Sequence, residues 1–111
     1  MTLNQKQFKF TKMVVQLLDF AHTRGYDIAF GDAFRDPRVH GEVGERKGYG
    51  HAKSAHKYKL AIDLNLFKDG LFLTQTKDHE PLGLYWESIG GSWGGRFEDG
   101  NHYSLEHNGV K

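Results

Sequence analysis

Cysteine is absent from this 111-residue chain. That excludes a disulfide framework, thiolate-ligated zinc and a cysteine nucleophile. Long hydrophobic runs are absent as well, and none approaches membrane-spanning length, so no membrane insertion is expected. The N-terminus, MTLNQKQFKF, lacks a long apolar core and a small-residue cleavage site, so no signal peptide is expected. There is little net charge. Lys and Arg number 15, Asp and Glu 14, and the formal net charge is +1, which argues against a protein built mainly to coat nucleic acid. Internal repeats and low-complexity tracts are not seen.

What the chain does have is 7 histidines and 14 glycines. The glycines predict many turns and much loop. The length suits one domain, 1–111, with a thin core that a bound metal would stabilise. A helix is expected from about Asn4, as N-cap, to Arg24. Its apolar face would be Phe10, Val14, Leu17, Leu18 and Ala21, with Gly25 as the stop. Tyr26 to Phe30 alternates like a half-buried strand. Residues 31–53 lose regularity, and a loop this long in a small domain is functional or mobile.

Leu60 to Phe67 is the clearest strand. Leu60, Ile62, Leu64 and Leu66 share one face; Ala61, Asp63, Asn65 and Phe67 share the other. Asp63 therefore does not break the core pattern. Lys68-Asp69-Gly70 predicts a hairpin returning through Leu71-Phe72-Leu73. Asp78 can cap a helix running to about Ile89, followed by a glycine-rich loop and a last strand from His102 to Glu106. This order predicts an α+β fold: a small antiparallel sheet packed against two or three helices, with a long loop bordering a cleft.

Three sites could carry chemistry. His56 lies just before the strand, where a turn can bring its ring toward the face of Asp63. An imidazole and a carboxylate together suit zinc; the alternative is a carboxylate bound to backbone or to an arginine. His102 could add a third ligand. Asp99, three residues earlier, could then deprotonate the water of a three-ligand centre, or could simply belong to an Asp-Gly turn. Arg35 could stabilise an oxyanion or pair with Asp32 or Asp36. His51 and His107 are rival ligands, the latter near a terminus expected to fray. His22, His40 and His79 read as surface or capping residues. Arg35, Arg38, Arg46, Lys47, Lys53, Lys57 and Lys59 could form a nucleic-acid-binding face, but such a run is usually solvated and also suits an anionic cell wall.

Ser54-Ala55-His56-Lys57-Tyr58-Lys59-Leu60-Ala61-Ile62-Asp63 resembles the S-x-H-x-x-G-x-A-x-D motif of zinc peptidases of the VanY/VanX type. That group includes D-Ala-D-Ala carboxypeptidases and the L-alanyl-D-glutamate endopeptidases of bacteriophage endolysins. Asp99-Gly100-Asn101-His102-Tyr103 is similar to the second motif, and Trp93-Gly94-Gly95-Arg96-Phe97 to the approach found in the phage branch. Arg35 sits where the family carries an arginine after its first strand. The resemblance implies one zinc ion held by His56, Asp63 and His102, with Asp99 as general base and Arg35 on the substrate carbonyl or oxyanion. Ser54 would support the site, and His51, Tyr49, Trp93 and Tyr103 would border the cleft.

The implied partner is bacterial peptidoglycan, cut at a stem-peptide amide, L-alanyl-D-glutamate by analogy with the phage branch. A D-Ala-D-Ala carboxypeptidase and a non-catalytic metal-stabilised wall-binding module are the alternatives. A monomer is expected, resident in the host cytoplasm until a partner such as a holin releases it to the wall or periplasm. No nucleic-acid partner is expected. Two departures stand out. Lys59 replaces the motif glycine, which strains the turn if that position needs a positive φ. The chain also stops soon after His102, which suits a compact lysin without a separate wall-binding domain.

Overall fold

The computed structural model describes residues 1–47 and 53–111. Helix α1 spans Leu3–Thr23. Its cap is Thr2 rather than Asn4: Thr2 Oγ1 accepts from the Gln5 amide at 3.1 Å, and Gln5 Oε1 accepts from the Thr2 amide at 2.9 Å. This reciprocal pair satisfies two backbone donors at once, which Asn4 cannot do from inside the first turn. Gly25, at φ +85°, ends the helix in the left-handed region. The face turned to the core is Phe10, Met13, Leu17 and Ala21. Met13 takes the seam, while Val14 and Leu18 are only partly buried at its edge.

The sheet has five antiparallel strands, β1 (Asp27–Phe30), β2 (Ala61–Lys68), β3 (Leu71–Leu73), β4 (Ser92–Trp93) and β5 (His102–Ser104). β2 is its centre. One edge of β2 pairs with β1, from Asp27↔Phe67 to Phe30↔Leu64. The other edge pairs with β3 at its C-terminal end and with β5 at its N-terminal end, and β4 flanks β5. The expected two faces of β2 are present: Ile62, Leu64 and Leu66 are buried, while Asp63, Asn65 and Phe67 are partly exposed. Asp69 and Gly70 both take positive φ in the β2–β3 turn, as a tight hairpin requires.

Helix α3 (Glu80–Ser88) follows a 3-10 turn, Thr76–His79. Asp78 does not cap α3. Its carboxylate accepts from the Gln75 amide at 3.0 Å and so closes the preceding turn. Trp86 is fully buried between α1 and the sheet. It meets Phe10 edge-on at 5.8 Å and donates from Nε1 to the Ser104 carbonyl at 2.9 Å. Burying a large apolar side chain of this kind contributes roughly 1.5–3 kcal/mol. The three helices, one of them the short α2 (Pro37–His40), and the antiparallel sheet make the expected α+β fold. β4 and α2 were not expected, because pieces of two and four residues are too short to show a period.

Two histidines expected at the surface or as caps are buried, and one of them, His79, is the N-cap residue of α3, without a side-chain cap hydrogen bond. His79 is 3% exposed, with Nδ1 2.8 Å from the Tyr103 hydroxyl. His40 ends α2 and is 7% exposed. The terminus does not fray at His107, which pairs with Val110 and packs its ring on Tyr58.

Candidate metal centre

Antiparallel pairing of β2 with β5 sets Asp63 directly opposite His102. Directly paired residues of neighbouring strands share a face, so their side chains meet. His56 comes from a 3-10 turn, Ala55–Tyr58, that leads into β2. Ser54 caps that turn, its Oγ accepting from the His56 amide at 3.2 Å. Lys59 closes it at φ 59°, ψ 36°. A lysine thus takes the left-handed conformation that favours glycine, and the chain reaches β2 with His56 aimed at Asp63.

His56 is 1% exposed and its tautomer is set by the backbone. Nδ1 lies 2.7 Å from the Ala33 carbonyl oxygen, which can only accept, so Nδ1 carries the proton. In the neutral ring, Nε2 then presents a lone pair to Asp63 Oδ1 at 3.1 Å. His102 Nδ1 lies 3.4 Å from the same oxygen, and His102 Nε2 is buried without a partner among the described residues. Two imidazoles crowding one carboxylate oxygen call for a cation among them. The ligand atoms all lie within 4.8 Å of one another, and they are the only group of this kind found among the described residues. Tetrahedral zinc with bonds of about 2.0–2.1 Å has ligand–ligand edges of roughly 3.3 Å. The 3.1 and 3.4 Å separations match those edges, and two imidazoles with one carboxylate are a zinc donor set. The residues present therefore fit the ion.

Burial opposes charge on Asp63, but His102 and His56, when protonated in place of binding a cation, donate to it and bring positive charge; this outweighs burial and holds the carboxyl well below the usual range. Asp63 is thus poised as an anionic ligand.

Arg35 is 12% exposed beside this centre. Its Nη1 donates to Ser54 Oγ at 3.2 Å and its Nε to Asp32 at 3.3 Å, and Nη2 lies 3.9 Å from Asp63 Oδ2. Arg35 thus makes the expected ion pair with Asp32 and also lies beside the metal centre. Asp99 is exposed and lines a cleft of about 240 Å³ together with Arg35, His56 and His102. Its loop is held from below. Trp93 Nε1 donates to the Gly100 carbonyl at 2.8 Å, and the His102 amide donates to the Asp99 carbonyl at 3.0 Å.

Trp93 and Tyr103 do not border the cleft as expected. Trp93 is 5% exposed and Tyr103 has no exposed surface; both complete the core. Tyr49 and His51 lie outside the described residues. Three cleft residues escaped the sequence reading as site members: Phe97, Lys53 and Lys111. Phe97 was signalled by the Trp93–Phe97 motif. Nothing local marks Lys111, which only the tertiary fold brings there. Lys57 was also missed. Its ammonium contacts the carbonyls of His40, Glu42 and Glu45, clipping the 40–47 segment to the turn that carries His56.

Fold and donor set together define a small α+β protein with a three-ligand centre that could hold one metal ion. The family model described as D-alanyl-D-alanine carboxypeptidase matches residues 47–105, more than half of the chain, and the chain belongs to that family of zinc-dependent metallopeptidases. The matched segment contains His56, Asp63, Asp99 and His102. No curated protein gives a significant match. No helix among the described residues is long and apolar enough to cross a membrane.

Proposed function

We propose that the chain is a single-domain zinc peptidase that hydrolyses an amide bond in the peptidoglycan stem peptide. The observation that carries this reading is the meeting of His56, Asp63 and His102 around one point, beside an exposed carboxylate and an arginine. When bound, zinc would act as a Lewis acid, polarising the scissile carbonyl and acidifying water. Asp99 takes the proton from the attacking water and returns it to the departing amine. Arg35, held in place by Asp32 and Ser54, donates to the oxyanion as it forms. Ala33 fixes the His56 tautomer, so Nε2 remains the ligand atom.

Three cationic side chains, Arg35, Lys53 and Lys111, line the cleft. A substrate with a carboxylate next to the departing nitrogen suits that charge. Both L-alanyl-D-glutamate and D-alanyl-D-alanine have one. We favour the endopeptidase reading, with the carboxypeptidase named by the family as the second. Release from a host cytoplasm to the wall, as for an endolysin, belongs to the same proposal.

Asp99→Ala tests the mechanism. Zinc content and unfolding temperature should match wild type, while release of stem-peptide fragments from purified peptidoglycan, followed by mass spectrometry, should fall at least about 100-fold. Hydrolysis at the wild-type rate would remove Asp99 from the mechanism. Full folding and zinc binding with no cleavage by wild type would leave a non-catalytic wall-binding module.

A further inference from the structure

The edge of β2 that carries the metal centre is not continuously paired. It pairs with β5 at 61–63 and with β3 at 66–68. Between those stretches the Leu64 amide reaches the Asn101 carbonyl at 2.9 Å, and the sheet opens. A cavity of about 290 Å³ occupies the opening. Leu64 and Asn65 line it, with Phe72 and Gln75 from the β3 side and Asp99 and Asn101 from the loop before β5. Asp99 also lines the metal cleft, so the two spaces adjoin.

The chemistry of this cavity differs from that of the cleft. No lysine or arginine lines it among the described residues, whereas Glu98 and Asp99 do. The remaining polar side chains are carboxamides, hydroxyls and the imidazole of His79, which burial holds toward its neutral form. Phe72 is 54% exposed and stacks on Phe67 at 5.0 Å and 26°. Glu98 is held at φ 61°, a left-handed conformation that costs a non-glycine residue free energy. An exposed aromatic face, carboxamides and carboxylate acceptors without a cation repel an acidic peptide and suit a neutral, hydroxyl-rich ring.

We propose that the cavity binds an N-acetylated pyranose, the sugar to which the stem peptide is amide-linked, on the acyl side of the scissile bond. This rests on the peptidase reading above. Orientation follows from charge: the carboxylate on the departing side stays in the cleft, where Lys53 and Lys111 can meet it, and the acyl side passes Asp99 into the cavity, which no lysine or arginine lines among the described residues. Distance follows from the strand. Asn65 is two residues from Asp63 on the same face, about 7 Å away. In an extended stem, one residue of about 3.5 Å separates the sugar's lactyl carbonyl from the carbonyl of the first stem bond. The D-alanyl-D-alanine bond lies four residues out, at least about 14 Å, and would put peptide in the cavity instead. Occupancy by the sugar therefore selects the first stem bond.

The test compares two synthetic substrates on the zinc-loaded protein: a stem peptide bearing the N-acetylmuramyl group, and the same peptide N-acetylated without the sugar. Wild type should show a KM about tenfold lower for the sugar-bearing substrate. In Phe72→Ala the two KM values should converge; this side chain is exposed, so its truncation leaves the core intact. Independently, titration with the methyl glycoside of N-acetylmuramic acid amide should give saturable NMR shifts at the amides of Asn65, Thr76 and Asn101. Cleavage of both substrates with equal KM, or sugar-induced shifts confined to other surfaces, overturns the proposal. Saturable shifts at the cavity with neither peptide cut would uphold the sugar site and overturn the peptidase reading.

Discussion

Lys59 shows how a single residue can hold a site together at a cost. It occupies the left-handed region at φ 59°, where its own amide closes the turn that carries His56. That conformation costs an L-residue roughly 1–2 kcal/mol, which a glycine would not incur. Some of this is offset by the Lys59 ammonium, 5.0 Å from the centre of the Phe34 ring. Lys59→Gly should therefore raise stability by up to about 1 kcal/mol, read as a higher denaturation midpoint at unchanged m-value. Zinc affinity should be retained, because the path from His56 to Asp63 already has the glycine geometry. A lower midpoint would mean that the lysine's contacts outweigh its backbone strain.

Among the elements, the short turn Gly94–Phe97 matters more than its length suggests. A Cβ on Gly94 would sit 2.2 Å from the Asp99 carbonyl oxygen and 2.7 Å from His102 Cβ. No glycine-to-alanine change fits there without moving the loop, and the loop carries both the proposed base and a ligand. Gly94→Ala should cost about 1–3 kcal/mol by overpacking and weaken zinc binding as well, measured by calorimetric titration. This stretch is legible in the sequence as a glycine-rich loop, but β4 and the turn are not, because neither is long enough to show periodicity. The two faces of β2 are legible, since alternation over eight residues is a strong local signal. Asp78 was placed at the wrong turn because a capping residue looks the same in sequence whichever of two adjacent turns it closes.

For the whole molecule, the buried His79 links stability to pH. It bridges the start of α3 to β5 through the Tyr103 hydroxyl. Burial lowers its pKa below the ordinary 6.5, against an opposing pull from Asp78 and Asp99. The unfolded chain takes up this proton near 6.5 while the folded chain resists it. The unfolded state thus binds more protons, and folding stability falls as pH drops below 6.5 until the folded-state pKa is passed. His79→Gln, which keeps a hydrogen-bonding group for Tyr103, should remove this component of the slope in unfolding measurements between pH 7 and 5. An unchanged slope would show that His79 does not carry it.

Composition and local pattern determined much by themselves. Without cysteine, a metal centre had to be built from histidine and carboxylate, and the alternation of β2 put Asp63 on the face opposite the leucines. The spaced motifs carried the candidate ligands and the family. Tertiary structure alone decided which histidines converge. His102 faces Asp63 because β5 pairs with β2 in one register, and a slip of one residue would turn His102 to the other face. It also decided that His79 and Tyr103 belong to the core, and that Lys111 shares a cleft with residues some fifty or more positions away. Such contacts depend on how distant segments pack, and no local spacing encodes that.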